Sequence, residues 1–183
     1  MPQPDLVVLA EGDLPAGQHW ILKGGGTHDD FYTFLETIYP DGHRDEGGMG
    51  GELLSPGSLM NIYTGGSDQG LRRVVVRADP HVAVVRVELT SGELLDLPPV
   101  ATRSDLGVSF FAALLPPTEG LVSVTAFGAD GGVLEQQNLS GHEEAWQWYL
   151  QRQRGGITPG TAPPHGGPGP RAVAMPRLDA QSE

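Results

Sequence analysis

The stretch between residues 72 and 137 constrains the fold most, because six short strand-like segments follow one another there. VAVVRVELT (82–90) alternates: Ala83, Val85, Val87 and Leu89 point one way, Arg86 and Glu88 the other. Strict alternation is the mark of a strand with one buried face. RRVVVRA (72–78) is β-branched and follows the turn-rich GGSDQG. ELLDL (93–97) comes after a Ser91-Gly92 turn and stops at Pro98-Pro99. VSFFAALL (108–115) is almost wholly apolar, which suits a strand covered on both faces. LVSVTAF (121–127) alternates again and is joined to VLEQQ (133–137) by GADGG. Asp-Gly at that place favours a hairpin, because both residues tolerate the backbone angles of a tight turn.

Six strand candidates at such short spacing predict an antiparallel sheet architecture. Composition agrees: 27 Gly and 16 Pro among 183 residues are too many for a helical bundle. LVVLA (6–10), HWILK (19–23), FYTFLETIY (31–39) and SLMNIYT (58–64) are further strand candidates. None buries a core alone, so they belong with the others. The segment from Gly42 to Ser58 is rich in glycine and charge and reads as a long loop. The expected fold is therefore mainly β, an antiparallel β-sandwich of about seven to nine strands with one C-terminal helix and a disordered tail. In this reading residues 1–156 form the sandwich domain, with the helix at 141–154, and 157–183 form the tail.

The helix is expected from SGHEEAWQWYLQRQRGG (140–156). Ser140 and Glu143 have the spacing of a reciprocal cap, and Arg152 and Arg154 suit the negative end of the helix dipole. Gly155 suits a left-handed stop. Trp146, Tyr149 and Leu150 fall on one face, at i, i+3 and i+4. Trp148 lies off that face. The tail, ITPGTAPPHGGPGPRAVAMPRLDAQSE, is dominated by proline and glycine and is expected to stay disordered. Within it AVAMPRL (172–178) is a short segment that can dock on a partner, with a passive tail as the plainer reading.

Several function classes lose support. There is no cysteine, hence no disulfide, thiolate zinc site or cysteine nucleophile. Residues 1–70 carry 11 acidic and 2 basic side chains, and no basic cluster occurs anywhere. Nucleic acid and anionic membranes are thus disfavoured as partners. No apolar run approaches the ~18 residues of a spanning helix. The N-terminus lacks the basic residues and apolar core of a secretory signal, so cytoplasmic residence is the expectation.

GGGTHDDFYTF (24–34) looks chemical at first sight. It has neither the P-loop pattern nor the spaced glycines of a dinucleotide fold, and strand-like sequence flanks it. It reads as a hairpin connection. His28, Asp29 and Asp30 are nevertheless candidate cation ligands, and PDGHRDEGG (40–48) adds His43 and Asp45. A strand between the clusters would hold them about 30 Å apart, at ~3.3 Å per residue, against a single joint site. No G-x-S-x-G, S-x-x-K or H-E-x-x-H occurs. The function expected is a non-catalytic binding module for another protein, with Trp146, Trp148 and Tyr149 as contact residues and no cofactor. The alternative is a small metal-dependent hydrolase or cation-binding protein that uses a divalent cation at the His28/Asp29/Asp30 loop.

Overall fold

The computed structural model describes residues 4–67 and 69–154, together with the backbone of 173–174. The chain runs β1 (Val7–Asp13), β2 (His19–Gly26), β3 (Phe31–Ile38), β4 (Arg44–Met49), β5 (Met60–Gly65), β6 (Arg72–Ala78), β7 (Val82–Leu89) and β8 (Leu94–Leu97). It continues through β9 (Ala101–Arg103), β10 (Val108–Leu115), β11 (Leu121–Gly128), β12 (Val133–Asn138), α1 (Ser140–Gln153) and β13 (Val173–Ala174). The fold is mainly β, antiparallel, with one C-terminal helix, as the alternation requires. Apart from β13, the expected tail lies outside the described residues, as does the Gly155 stop.

The strands form three sheets. The first is a meander in the order β1-β2-β3-β4, the second has the order β13-β10-β6-β5 with β9 also on β10, and the third has the order β12-β11-β7-β8. The second sheet is the middle layer. Its two long strands, β6 and β10, are buried at every position. Alternation divides their side chains between two cores. Val74, Val76, Phe111, Ala113 and Leu115 pack with Val85, Val87, Leu97 and Val124 of the third sheet. Val75, Phe110, Ala112 and Leu114 pack with Trp20, Leu22, Phe31 and Leu35 of the first. Each buried Phe or Leu contributes about 1.5–3 kcal/mol, so a strand that feeds both cores is held more firmly than one that feeds a single core.

The count of strands exceeds the expectation, and β4, β9 and β13 fall where no strand was expected; Gly42–Ser58 is not all loop. Arg44–Met49 pairs with β3 from Ile38↔Arg44 to Thr33↔Met49. Its glycines serve close approach: a Cβ on Gly48 would fall 1.9 Å from the Thr33 carbonyl oxygen. Its charges lie in an outer network. Glu36 and Glu46 oppose each other across the ladder. Lys23 Nζ reaches both, at 2.5 and 3.3 Å, and Arg44 binds Glu36 at 3.0 Å. The hydrogen bond from Lys23 holds the Glu36 carboxyl below its ordinary range, against the opposing effect of burial. The chain's one lysine thus relieves a like-charge pair between strands.

Strands change sheets at short turns. β6 leaves the middle sheet and β7 enters the third through Asp79-Pro80-His81, where the Val82 N–H donates to the Asp79 carbonyl at 2.9 Å. Among the described residues no helix is long and apolar enough to cross a membrane.

Candidate functional site

The helix is placed by its contacts with strands. The backbone N–H of Ser140 donates to Asn138 Oδ1 at 2.8 Å, which turns the chain out of β12. Leu139, fully buried, stands at the N-cap and makes no side-chain cap. The reciprocal Ser140–Glu143 cap expected from the sequence is therefore not formed. Glu143 has a stronger set of donors. Its Oε2 accepts from Arg72 Nη1 at 2.7 Å and from the Leu121 N–H at 3.0 Å, and its Oε1 accepts from Gln147 at 2.8 Å. Burial pushes the Glu143 carboxyl up, but these bonds outweigh it and leave the group below its usual range.

Trp146 and Leu150 fill the inward face, one helical turn apart. The Trp146 indole N–H donates to the Pro117 carbonyl at 3.2 Å. Its ring stacks on Tyr149 at 5.4 Å, and the Arg72 guanidinium sits 4.9 Å from the ring centre. Trp146 is thus a structural anchor, and Tyr149 is half-buried beside it. Trp148 points elsewhere. It is 61% exposed, and its only ring contact among the described residues is the Arg152 guanidinium, 5.1 Å away at i+4.

A hollow lies on each side of the helix. One, about 560 Å³, runs between α1 and β11 and is lined by Leu121, Val122, Asn138, Glu144, Gln147 and Trp148, among others. The other, about 310 Å³, lies against the end of β5 and is lined by Tyr63, Thr64, His142, Trp146 and Tyr149. His142 Nδ1 is 3.3 Å from Thr64 Oγ1 at its rim. Gly66 lines this second hollow and is packed closely. A Cβ there would meet the Leu71 carbonyl oxygen at 2.9 Å and the Trp146 ring at 3.2 Å.

The polar clusters sit far from the helix in chain order and serve turns. His28, Asp29 and Asp30 occupy the connection between β2 and β3. His28 Nδ1 lies 3.6 Å from Asp29 Oδ1, with both side chains largely in water. The backbone does the structural work: the Thr27 N–H donates to the Asp30 carbonyl, and the Leu53 N–H to the His28 carbonyl. His43 and Asp45 lie at the opposite end of β3. The His43 N–H donates to Asp41 Oδ1 at 2.9 Å, and its ring lies 5.6 Å from Tyr39. Asp45 Oδ1 is 2.6 Å from Arg73 Nη2, and its Oδ2 accepts from Ser67 at 2.9 Å. The two clusters are not brought together. Among the described residues no group of three or more His, Asp or Glu side chains is arranged to hold a metal ion.

Sequence reasoning missed the buried arginines of β6. Arg72, Arg73 and Arg77 are each at most 1% exposed. Arg77 has no carboxylate partner among the described residues. Its Nε donates to Thr33 Oγ1 at 2.8 Å, its Nη2 to the carbonyls of Phe31 and Met49 at 2.7 and 2.8 Å, and its Nη1 to that of Glu52 at 3.1 Å. Burial lowers its pKa to about 10. Among the described residues Arg73 makes one ion pair, with Asp45, and its Nε and Nη2 have no well-aligned acceptor. The available signal was their position: arginines bracket a valine run on the strand that both faces cover.

In comparisons with known proteins, no family model, curated protein or solved structure matches the chain.

Proposed function

We propose that this chain is a non-catalytic protein-interaction module that presents Trp148 and the adjoining cleft to another protein. The observation that carries this reading is the exposure of Trp148 on a helix fixed at Glu143, Trp146 and Leu150. Tryptophan buries a large area for few rotatable bonds, and a rigid platform lowers the ordering cost of binding. Leu121 and Val122 supply an apolar floor, while Asn138, Glu144 and Gln147 supply a polar rim. That arrangement, apolar centre and wet edge, is the anatomy of a transient interface.

The test is a quantitative pull-down from the native host with wild type, Trp148→Ala and Val133→Ser. Val133 is equally exposed, 63% against 61%, but lies on β12 away from the cleft lining. A specific partner should be held by wild type and Val133→Ser, and Trp148→Ala should weaken it at least tenfold, about 1.4 kcal/mol. Equal retention by all three proteins contradicts the proposal. Metal analysis of the same preparations addresses the cation alternative. Stoichiometric metal that disappears in His28→Ala/Asp29→Ala would replace the interaction reading with a metal-dependent one.

A further inference from the structure

The outer edge of β10 is covered in two unequal pieces. On its inner side β10 pairs with β6 from Ser109↔Ala78 to Leu115↔Arg72. On its outer side β9 covers only Val108, Ser109 and Phe110. Beyond Phe110 that side meets a strand from far along the chain: Ala113↔Ala174 and Leu114↔Val173, antiparallel. The strand is two residues long, and it also lies against β8.

This edge differs from the others in the molecule. β10 is buried along its whole length, with side chains packed into both cores. Its outward backbone groups therefore sit deep between two covering layers. A buried donor or acceptor left unpaired costs about 1–3 kcal/mol, so this edge favours a strand more than an edge of an outer sheet does. The segment that fills it is poorly built for permanent pairing. Pro170 and Pro176 flank it in the sequence, and proline has no N–H to extend a ladder. Gly- and Pro-rich sequence separates it from α1. A two-residue ladder made by a distant segment of the same chain relies on effective concentration more than on its own contacts.

We infer that the β10 edge at Ala113–Leu114 is a strand-acceptor site. Its partner is an extended peptide of another chain with a small-aliphatic residue pair, and Val173–Ala174 occupies it in cis as a removable strand. Affinity comes from main-chain hydrogen bonds, as in other strand additions, and the tail competes with any incoming strand. This inference does not depend on Trp148, which lies on a different element.

The absence of cysteine makes a direct test available. Ala113 and Ala174 are opposed in the ladder, so Ala113→Cys/Ala174→Cys in the full chain places two thiols at bridging distance. Mild oxidation should give one intramolecular disulfide in a monomer. The probe is a fluorescent peptide with the sequence of residues 170–178, PRAVAMPRL, read by anisotropy. The reduced protein should bind it at least tenfold more tightly than the oxidised protein, and prolines at the Val173 and Ala174 positions of the peptide should abolish binding. The second variant, Val173→Pro/Ala174→Pro in the full chain, should bind the probe more tightly than wild type. Failure of the disulfide to form within one chain overturns the inference. So does peptide binding that is absent from both the reduced protein and the proline variant, or unchanged by oxidation.

Discussion

Arg77 shows how much one buried residue can organise. A charged guanidinium without a carboxylate is costly to bury unless every donor direction is met. Here the acceptors are the Thr33 hydroxyl and the carbonyls of Phe31, Met49 and Glu52, so one side chain ties the start of β3 and the end of β4 to the middle sheet. Arg77→Met removes the charge but strands those carbonyls, and it should cost about 3 kcal/mol in urea unfolding. A loss under 1 kcal/mol would mean that water replaces the guanidinium. Glu143 makes a prediction in pH. Its carboxyl is depressed in the folded chain relative to its ordinary value of 4.5. A depressed acid stabilises the fold fully above the unfolded value, and that stability is lost as pH falls through the folded value. The stability gap between wild type and Glu143→Gln should therefore be constant above pH 4.5 and shrink below it. A gap that does not change on acidification would show that Arg72 and Leu121 do not depend on the charge.

At the scale of elements, α1 divides its tryptophans between two tasks. Trp146 is 6% exposed and Trp148 61%. Trp146→Ala should cost about 3–5 kcal/mol by thermal or urea unfolding, and Trp148→Ala should stay within about 0.5 kcal/mol of wild type. Similar losses for both would remove the reason to treat Trp148 as a contact residue. The helical period made this division legible before any coordinates, since Trp148 falls off the Trp146–Leu150 face. Strands with regular alternation or continuous apolar runs, such as β7 and β10, were equally legible. β4 was not, because RDEGGM has neither pattern. Arg44 and Glu46 are charged for the network with Lys23 and Glu36, Asp45 pairs with Arg73, and Gly48 is small for the approach to Thr33 and Phe34. The arginines of β6 were hidden for a related reason. Charge usually marks the wet face of a strand, and only the surrounding carbonyls and acids reverse that rule.

Across the whole molecule, alternation along a strand tells which residues are buried but not how many layers do the burying. A continuous apolar run such as VSFFAALL implied cover on two sides. It did not reveal that the two covers are separate sheets, one drawn from residues 7–49 and the other from 82–138. The three-layer arrangement makes the middle sheet the shared wall of both cores. Native-state hydrogen exchange read residue by residue tests this arrangement most directly. Amides of Val74–Val76 and Phe111–Ala113 should exchange only through global unfolding, while those of β1 and β12 exchange through smaller local openings. If the β6 and β10 amides exchange as fast as those of the outer strands, the middle sheet is not the shared wall, and the account of this molecule fails.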